Sequence, residues 1–191
     1  MAQLSDDSSD LFDEEQSYDI PVNIPVEKRK IHFKTPSKQI KHVYADYKRG
    51  DLEVRPSFQR EFVWDKKKAS RLIESILLGV PIPPIYTAES EDGHEIVIDG
   101  QQRLLSIISF IDGVFPNGGD FKLSRLDVIQ ELGGKTFKDL DKSMQKTIEN
   151  YPLSFIIITK DSDPDVKFEI FERLNTGSVK LNDQELRNCI Y

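Results

Sequence analysis

The sequence predicts an α/β (α+β) fold, because helical and strand patterns alternate along its central part. Apolar residues recur at helical spacing from Ala69 to Leu77 and again within Gln102–Ile111, as in helices with one buried face. Between them lie two short apolar runs, Ile85–Thr87 and Glu95–Ile98, separated by a polar turn. This arrangement predicts two neighbouring strands between two helices.

The remaining elements follow from caps and helix breakers. Ser37 is the predicted N-cap of a first helix over residues 37–48 that Gly50 ends, and Asp65 is the predicted N-cap of the Ala69–Leu77 helix. The prolines of Val80–Pro84 exclude a helix there. The other predicted elements are a strand at Leu52–Val54, a helix over Phe137–Tyr151, a strand over Leu153–Thr159 and helices over Asp163–Leu174 and Leu181–Ile190. Because the last pattern has no cap, we expect a fragment of a longer protein.

Charge divides the chain into a tail and a domain. The 191 residues carry a net charge of −7. Residues 1–25 hold seven acids and no Lys or Arg, so the remaining 26 acids are balanced by 26 bases. We therefore expect an acidic, disordered tail over residues 1–25 and one domain over residues 26–191.

Basic residues are distributed unevenly within that domain. Lys28–Arg71 contains 14 Lys and Arg against five Asp and Glu, whereas Leu72–Phe121 contains a single cation, Arg103. Lys66, Lys67 and Lys68 are consistent with either a solvated first helical turn or contacts to DNA phosphates.

Composition also predicts the compartment. No apolar run approaches the ~20 residues that cross a membrane, and the acidic N-terminus does not resemble a signal peptide. Cys189 is the only cysteine, so an internal disulfide and a cysteine-rich zinc site are excluded. We expect a cytoplasmic protein with no membrane association and no transition-metal site.

The segment from Asp99 to Arg103 has the composition of an anion-binding loop. It follows an apolar strand and opens an apolar helix, whose first N–H groups attract anions. Gly100 permits close approach of a ligand, Gln101 and Gln102 add neutral donors, and Arg103 adds a guanidinium suited to phosphate. The alternative is an ordinary strand–turn–helix with a structural salt bridge from Arg103 to Asp99 or Glu95.

Two further groups of polar and aromatic residues accompany this loop. Gln59, Arg60 and Trp64 precede the Ala69–Leu77 helix, and Asn175 follows the Asp163–Leu174 helix. We predict that they contribute to the same phosphate site. The alternatives are a core position for Trp64, which is the more common role of such a tryptophan, and a helix C-cap for Asn175, which is the more common role of such an asparagine.

The remaining motifs follow one another along the chain. In order they are Phe58-Gln59-Arg60, Val63-Trp64, Gly79–Pro84, Asp99–Leu104, Phe171–Gly177, Leu181 and Glu185–Arg187. As an ordered set over roughly residues 37–191, they resemble the N-terminal domain of GmrSD-type modification-dependent restriction enzymes, with relatives among SspE-type anti-phage proteins. The resemblance implies a small mixed sheet flanked by helices, similar to ParB and sulfiredoxin, whose corresponding loop binds nucleotide phosphates.

The resemblance also implies a function. It implies a regulatory domain that binds a nucleoside triphosphate, with or without Mg²⁺, hydrolyses it, and acts on DNA through an HNH-type nuclease region or partner subunit. Asp99, Gln101, Gln102 and Arg103 are the candidate catalytic residues. Gly100, Gln102, Arg103, Gln59, Arg60, Trp64 and Asn175 are the candidate phosphate-binding residues. A non-catalytic module that senses nucleotide or modified DNA and a ParB-like nuclease domain are the alternatives, and oligomerisation is left open.

Overall fold

The computed structural model describes residues 30–54 and 62–163, together with residues 166, 167, 170, 171 and 173. The helices are α1 (Ile40–Arg49), α2 (Lys66–Leu77), α3 (Gln101–Asp112) and α4 (Lys142–Asn150). The strands are β1 (Phe33–Lys34), β2 (Ser37–Gln39), β3 (Leu52–Glu53), β4 (Ile85–Glu89), β5 (Glu95–Asp99) and β6 (Pro152–Ile158). Short 3₁₀ turns lie at Gln130–Leu132 and Phe137–Asp139.

The strands form one mixed sheet in the order β1-β6-β4-β5-β3, and β2 also pairs with β6. Pairs β4–β5, β1–β6 and β2–β6 are antiparallel, whereas β3–β5 and β4–β6 are parallel. The predicted pairing of Ile85–Thr87 with Glu95–Ile98 is confirmed, with Thr87 opposite Val97. The α/β prediction is therefore confirmed.

All four helices contribute to one hydrophobic core on one face of the sheet. Helix α2 packs against α3 and α4, and α1 packs against α4. Ile73 and Ile76 of α2 and Leu104 of α3 are fully buried there, as are Ile85 and Val97 of the sheet. Each full side-chain burial of this kind contributes about 1.5–3 kcal/mol, so this layer supplies most of the hydrophobic stabilisation.

The opposite face of the sheet carries a smaller apolar cluster. Ala88, Ile98 and Ile158 are buried there with Phe171, and Tyr86 packs against them. Phe171 lies in a helical segment, as do the described residues 166, 167, 170 and 173. The segment predicted as helix over Asp163–Leu174 therefore covers this face where the structure describes it.

Two predicted boundaries were wrong. Ser37 does not cap α1, because Ser37–Gln39 form β2 against β6 and the helix begins at Ile40. The predicted Phe137–Tyr151 helix is split, because Asp141 is extended and its carboxylate caps α4 by accepting from the Met144 N–H. In the first place the deciding hydrogen bonds come from the distant strand β6, and in the second from a side-chain cap within the predicted helix itself.

Two further predicted segments, the tail over residues 1–25 and the helix over Leu181–Ile190, lie outside the described residues. Among the residues that the structure does describe, no helix combines the length and apolarity needed to span a membrane.

Candidate functional site

The junction between β5 and α3 depends on a glycine. Gly100 is the N-cap of α3 and has φ 97° and ψ 6°, in the left-handed region that L-residues with side chains rarely adopt. A Cβ built there would lie 2.4 Å from Ile85 Cδ1. Both observations disfavour a larger residue at this position, and glycine leaves the first turn of α3 without a side chain at its cap.

Arg103 is held by protein groups on two sides. Its Nη1 donates to the carbonyl oxygens of Pro83 and Pro84, the latter at 3.1 Å, and its Nη2 donates to Asp99 Oδ2 at 2.8 Å. Its side chain is only 13% exposed. Burial lowers the pKa of Arg103, and the Asp99 carboxylate opposes that shift. Arg103 therefore joins the proline segment before β4 to the end of β5.

The two glutamines of the loop have different environments. Gln102 Oε1 accepts from the backbone N–H groups of Val63 at 3.0 Å and Trp64 at 3.3 Å, which ties the segment before α2 to the first turn of α3. Gln101 Nε2 is buried and has no hydrogen-bond partner among the described residues. A buried donor without a partner costs about 1–3 kcal/mol, so Gln101 is an unusual residue in a folded protein.

Trp64 is half-buried and packs against the main core, as its alternative interpretation predicted. Lys68 Nζ lies 4.6 Å from the centroid of the Trp64 ring. Lys66 is also engaged, since its Nζ donates to Asp120 O at 3.1 Å. Lys66 and Lys68 are exposed and Lys67 is partly exposed.

Phe171, one of the residues that carry the family resemblance, lies on the sheet face that also holds Tyr86. Phe171 and Tyr86 belong to the same cluster, and Tyr86 is the strand partner of Asp99. Tyr86 also lies close enough to Arg103 to oppose the lowering of its pKa. Gln59, Arg60 and Asn175 lie outside the described residues.

Sequence reasoning missed Glu74 and Tyr86. Glu74 is 5% exposed, and its carboxylate accepts from the N–H groups of Asp127, Val128 and Ile129. Its position between the buried Ile73 and Ile76 of α2 was the available signal. Nothing in the local pattern singled out Tyr86, which becomes notable through its strand pairing.

Residues 40–191 match the family model described as the GmrSD restriction endonuclease, N-terminal domain. The chain belongs to this family. The match covers most of the chain and confirms the resemblance predicted from the motifs. This GmrSD N-terminal domain is thus of a kind found in restriction systems, whose enzymes act on DNA. Comparisons with curated proteins and with solved structures returned no match.

The loop in this GmrSD N-terminal domain combines a helix N-terminus, a buried amide donor and a guanidinium, and each of these groups can attract an anion. Within the described ranges, no group of three or more His, Cys, Asp or Glu side chains that could hold a metal ion comes together.

Proposed function

We propose that the N-terminal end of α3 binds the phosphates of a nucleoside triphosphate, and that the domain hydrolyses this nucleotide to regulate DNA restriction. The observation that carries the proposal is the amide of Gln101. Its Nε2 is a buried donor without a partner in the described part of the chain, and a phosphate oxygen would satisfy it.

Three neighbouring features support an anionic ligand. Gly100 leaves the helix end uncovered, and the N–H groups of the first turn carry a partial positive charge. Arg103 lies in the same first turn of α3. Preorganised donors and a cation of this kind bind phosphates and stabilise the charge that develops on a transferring phosphoryl group.

Magnesium fits this arrangement only as a companion of the nucleotide. Mg²⁺ is usually held by one or two carboxylates together with substrate phosphates, and Asp99 is the carboxylate adjacent to the loop. The ion would neutralise phosphate charge. Gln101 and Arg103 would orient the phosphates, and Gln102 would hold the Val63–Trp64 segment beside them.

The first experiment separates an enzyme from a binding module. The chain is incubated with each of ATP, GTP, CTP and UTP, and both affinity and phosphate release are measured. Release with one nucleotide is the expected result. Binding without release would favour the non-catalytic sensing module. In a parallel assay the chain is incubated with supercoiled plasmid, and nicking without nucleotide would favour the ParB-like nuclease domain.

The second experiment tests Gln101 itself. Gln101→Met keeps the shape of the side chain and removes the unpartnered donor. Nucleotide affinity should fall about tenfold or more, as expected for a hydrogen bond to a charged group, while the melting temperature should stay the same or rise. Unchanged affinity would argue against the proposal.

Gln145→Met is the matched control. Gln145 Nε2 donates to the carbonyl oxygens of Phe137 and Leu140, so this substitution should lower the melting temperature and leave nucleotide affinity unchanged. The two glutamines should therefore show opposite patterns of affinity and stability.

A further inference from the structure

The guanidinium of the candidate site already has an anionic partner. Arg103 Nη2 donates to Asp99 Oδ2 at 2.8 Å, and Nη1 is occupied by the carbonyl oxygens of Pro83 and Pro84. Within the described part of the chain, both N–H groups of Nη1 donate to backbone carbonyl oxygens, and one N–H group of Nη2 donates to the Asp99 carboxylate. A phosphate that approaches Arg103 must therefore compete with Asp99 or lie beside it.

Asp99 also lies beside the positive N-terminal end of α3, which is the part of the site that would attract an anionic ligand. It is the last residue of β5 and immediately precedes the N-cap of α3, so its negative charge lies next to the positive end of the helix. The Asp99 side chain is 32% exposed, against 13% for Arg103. An anion arriving from solvent thus meets a like charge at the guanidinium that would bind it.

We propose that Asp99 is an internal anion that occupies Arg103 in the ligand-free domain and limits the affinity of the site for phosphates. The inference rests on the proposed function, because it assigns a regulation to the same site. Repulsion by Asp99 disfavours the binding of weakly charged anions. The site therefore selects ligands with enough negative charge to compete with the Asp99 carboxylate for Arg103. A triphosphate meets this requirement better than a single phosphate.

Asp99→Asn separates charge from shape. Asparagine retains an oxygen that accepts from Arg103 Nη2, so the link between β5 and α3 persists while the negative charge is removed. Binding of inorganic triphosphate, measured calorimetrically with the whole chain in EDTA, should become about tenfold tighter, which corresponds to 1.4 kcal/mol. The gain should shrink at high salt, because screening weakens the repulsion.

Asp112→Asn is the charge-matched control. Asp112 lies at the opposite end of α3, where its carboxylate accepts from Tyr44 and Lys48. The 12 residues of α3 span roughly 18 Å, which exceeds the Debye length of about 10 Å at 0.1 M salt. This variant loses the same charge and should leave triphosphate affinity unchanged. Asp99→Ser serves as a second variant if Asp99→Asn does not fold.

The outcomes distinguish this inference from the function on which it rests. If wild type binds triphosphate and the folded Asp99 variants bind with equal or lower affinity, Asp99 is not an internal competitor, although the nucleotide site stands. If only the Asp99 variants bind inorganic triphosphate while wild type binds one of the four nucleotides, both proposals are supported. If neither wild type nor variants bind triphosphate or any of the four nucleotides, the proposed function fails and this inference fails with it.

Discussion

At the scale of single residues, one substitution at Arg103 tests its structural contacts and its proposed role in ligand binding together. Its bonds to Asp99, Pro83 and Pro84 stabilise the junction, and in the proposed site its charge also binds the nucleotide phosphates. Arg103→Ala should lower the free energy of unfolding by about 1.5–3 kcal/mol, the range for charged hydrogen bonds. Nucleotide affinity should fall roughly tenfold to a hundredfold. Calorimetric binding and denaturant unfolding on one preparation measure both effects.

Two further substitutions, Arg103→Lys and Arg49→Ala, help to interpret the effect of Arg103→Ala on affinity and stability. Arg103→Lys keeps the charge but loses the planar fork, so it should recover part of the affinity and little of the stability. Arg49 is an exposed arginine that pairs with Asp46 and Asp51, and Arg49→Ala should change neither quantity appreciably. Normal affinity in a folded Arg103→Ala protein would remove Arg103 from the binding site.

At the scale of elements, Glu74 of helix α2 is hydrogen-bonded to the loop that contains residues 127–129. Its carboxylate accepts three backbone N–H bonds from Asp127, Val128 and Ile129, the shortest 2.8 Å. Ser70, one turn earlier on α2, accepts from the Ser124 N–H at 3.0 Å. Helix α2 therefore determines the path of residues 124–129 through two buried polar side chains.

Glu74→Gln tests this attachment. Replacing the carboxylate by an amide removes a charged acceptor and should cost about 1.5–3 kcal/mol of stability at pH 7. Hydrogen exchange should accelerate in residues 124–129 more than in the sheet. Glu91 is an exposed residue of the turn between β4 and β5, and Glu91→Gln should leave both quantities unchanged.

The same group contributes to acid sensitivity. Burial raises the pKa of Glu74, but the three backbone hydrogen bonds outweigh burial and hold the pKa below its ordinary value of 4.5. A carboxylate with a lowered pKa in the folded state contributes stability at pH values above 4.5, and that stability is lost as pH falls through the folded-state pKa. Unfolding free energy should therefore fall less steeply below pH 4.5 in Glu74→Gln than in wild type. Identical slopes would contradict the assignment.

Sequence patterns predicted the elements whose stabilising contacts are local. The Asp65 cap of α2 and the Gly50 end of α1 were predicted from their own neighbours and are confirmed. Ser37–Gln39 failed because the bonds that make them a strand come from β6, more than a hundred residues later. Local signals do not encode such distant partners.

At the scale of the whole molecule, the sequence predicted where the candidate site lies along the chain but not which residues contact one another within it. The strand–glycine–helix pattern placed Gly100 and Arg103 correctly at the β5–α3 junction. The sequence did not reveal that Gln102 bonds to Val63 and Trp64, or that Pro83 and Pro84 accept from Arg103. Each contact depends on how separate elements pack, which no periodicity encodes.

Charge at this scale leads to a prediction about the acidic segment. Residues 1–25 carry seven acids and no Lys or Arg, and residues 26–191 are neutral overall. Such a segment repels phosphate and offers it no donor cation, so deleting residues 1–25 should leave nucleotide affinity unchanged or raise it. Any gain should be larger at low salt than above about 0.3 M, because the Debye length shortens as ionic strength rises. Calorimetric titration of both chains at two salt concentrations measures this, with melting temperature as the control for folding. Lost affinity in a deletion variant that melts normally would mean that the segment contributes to the site.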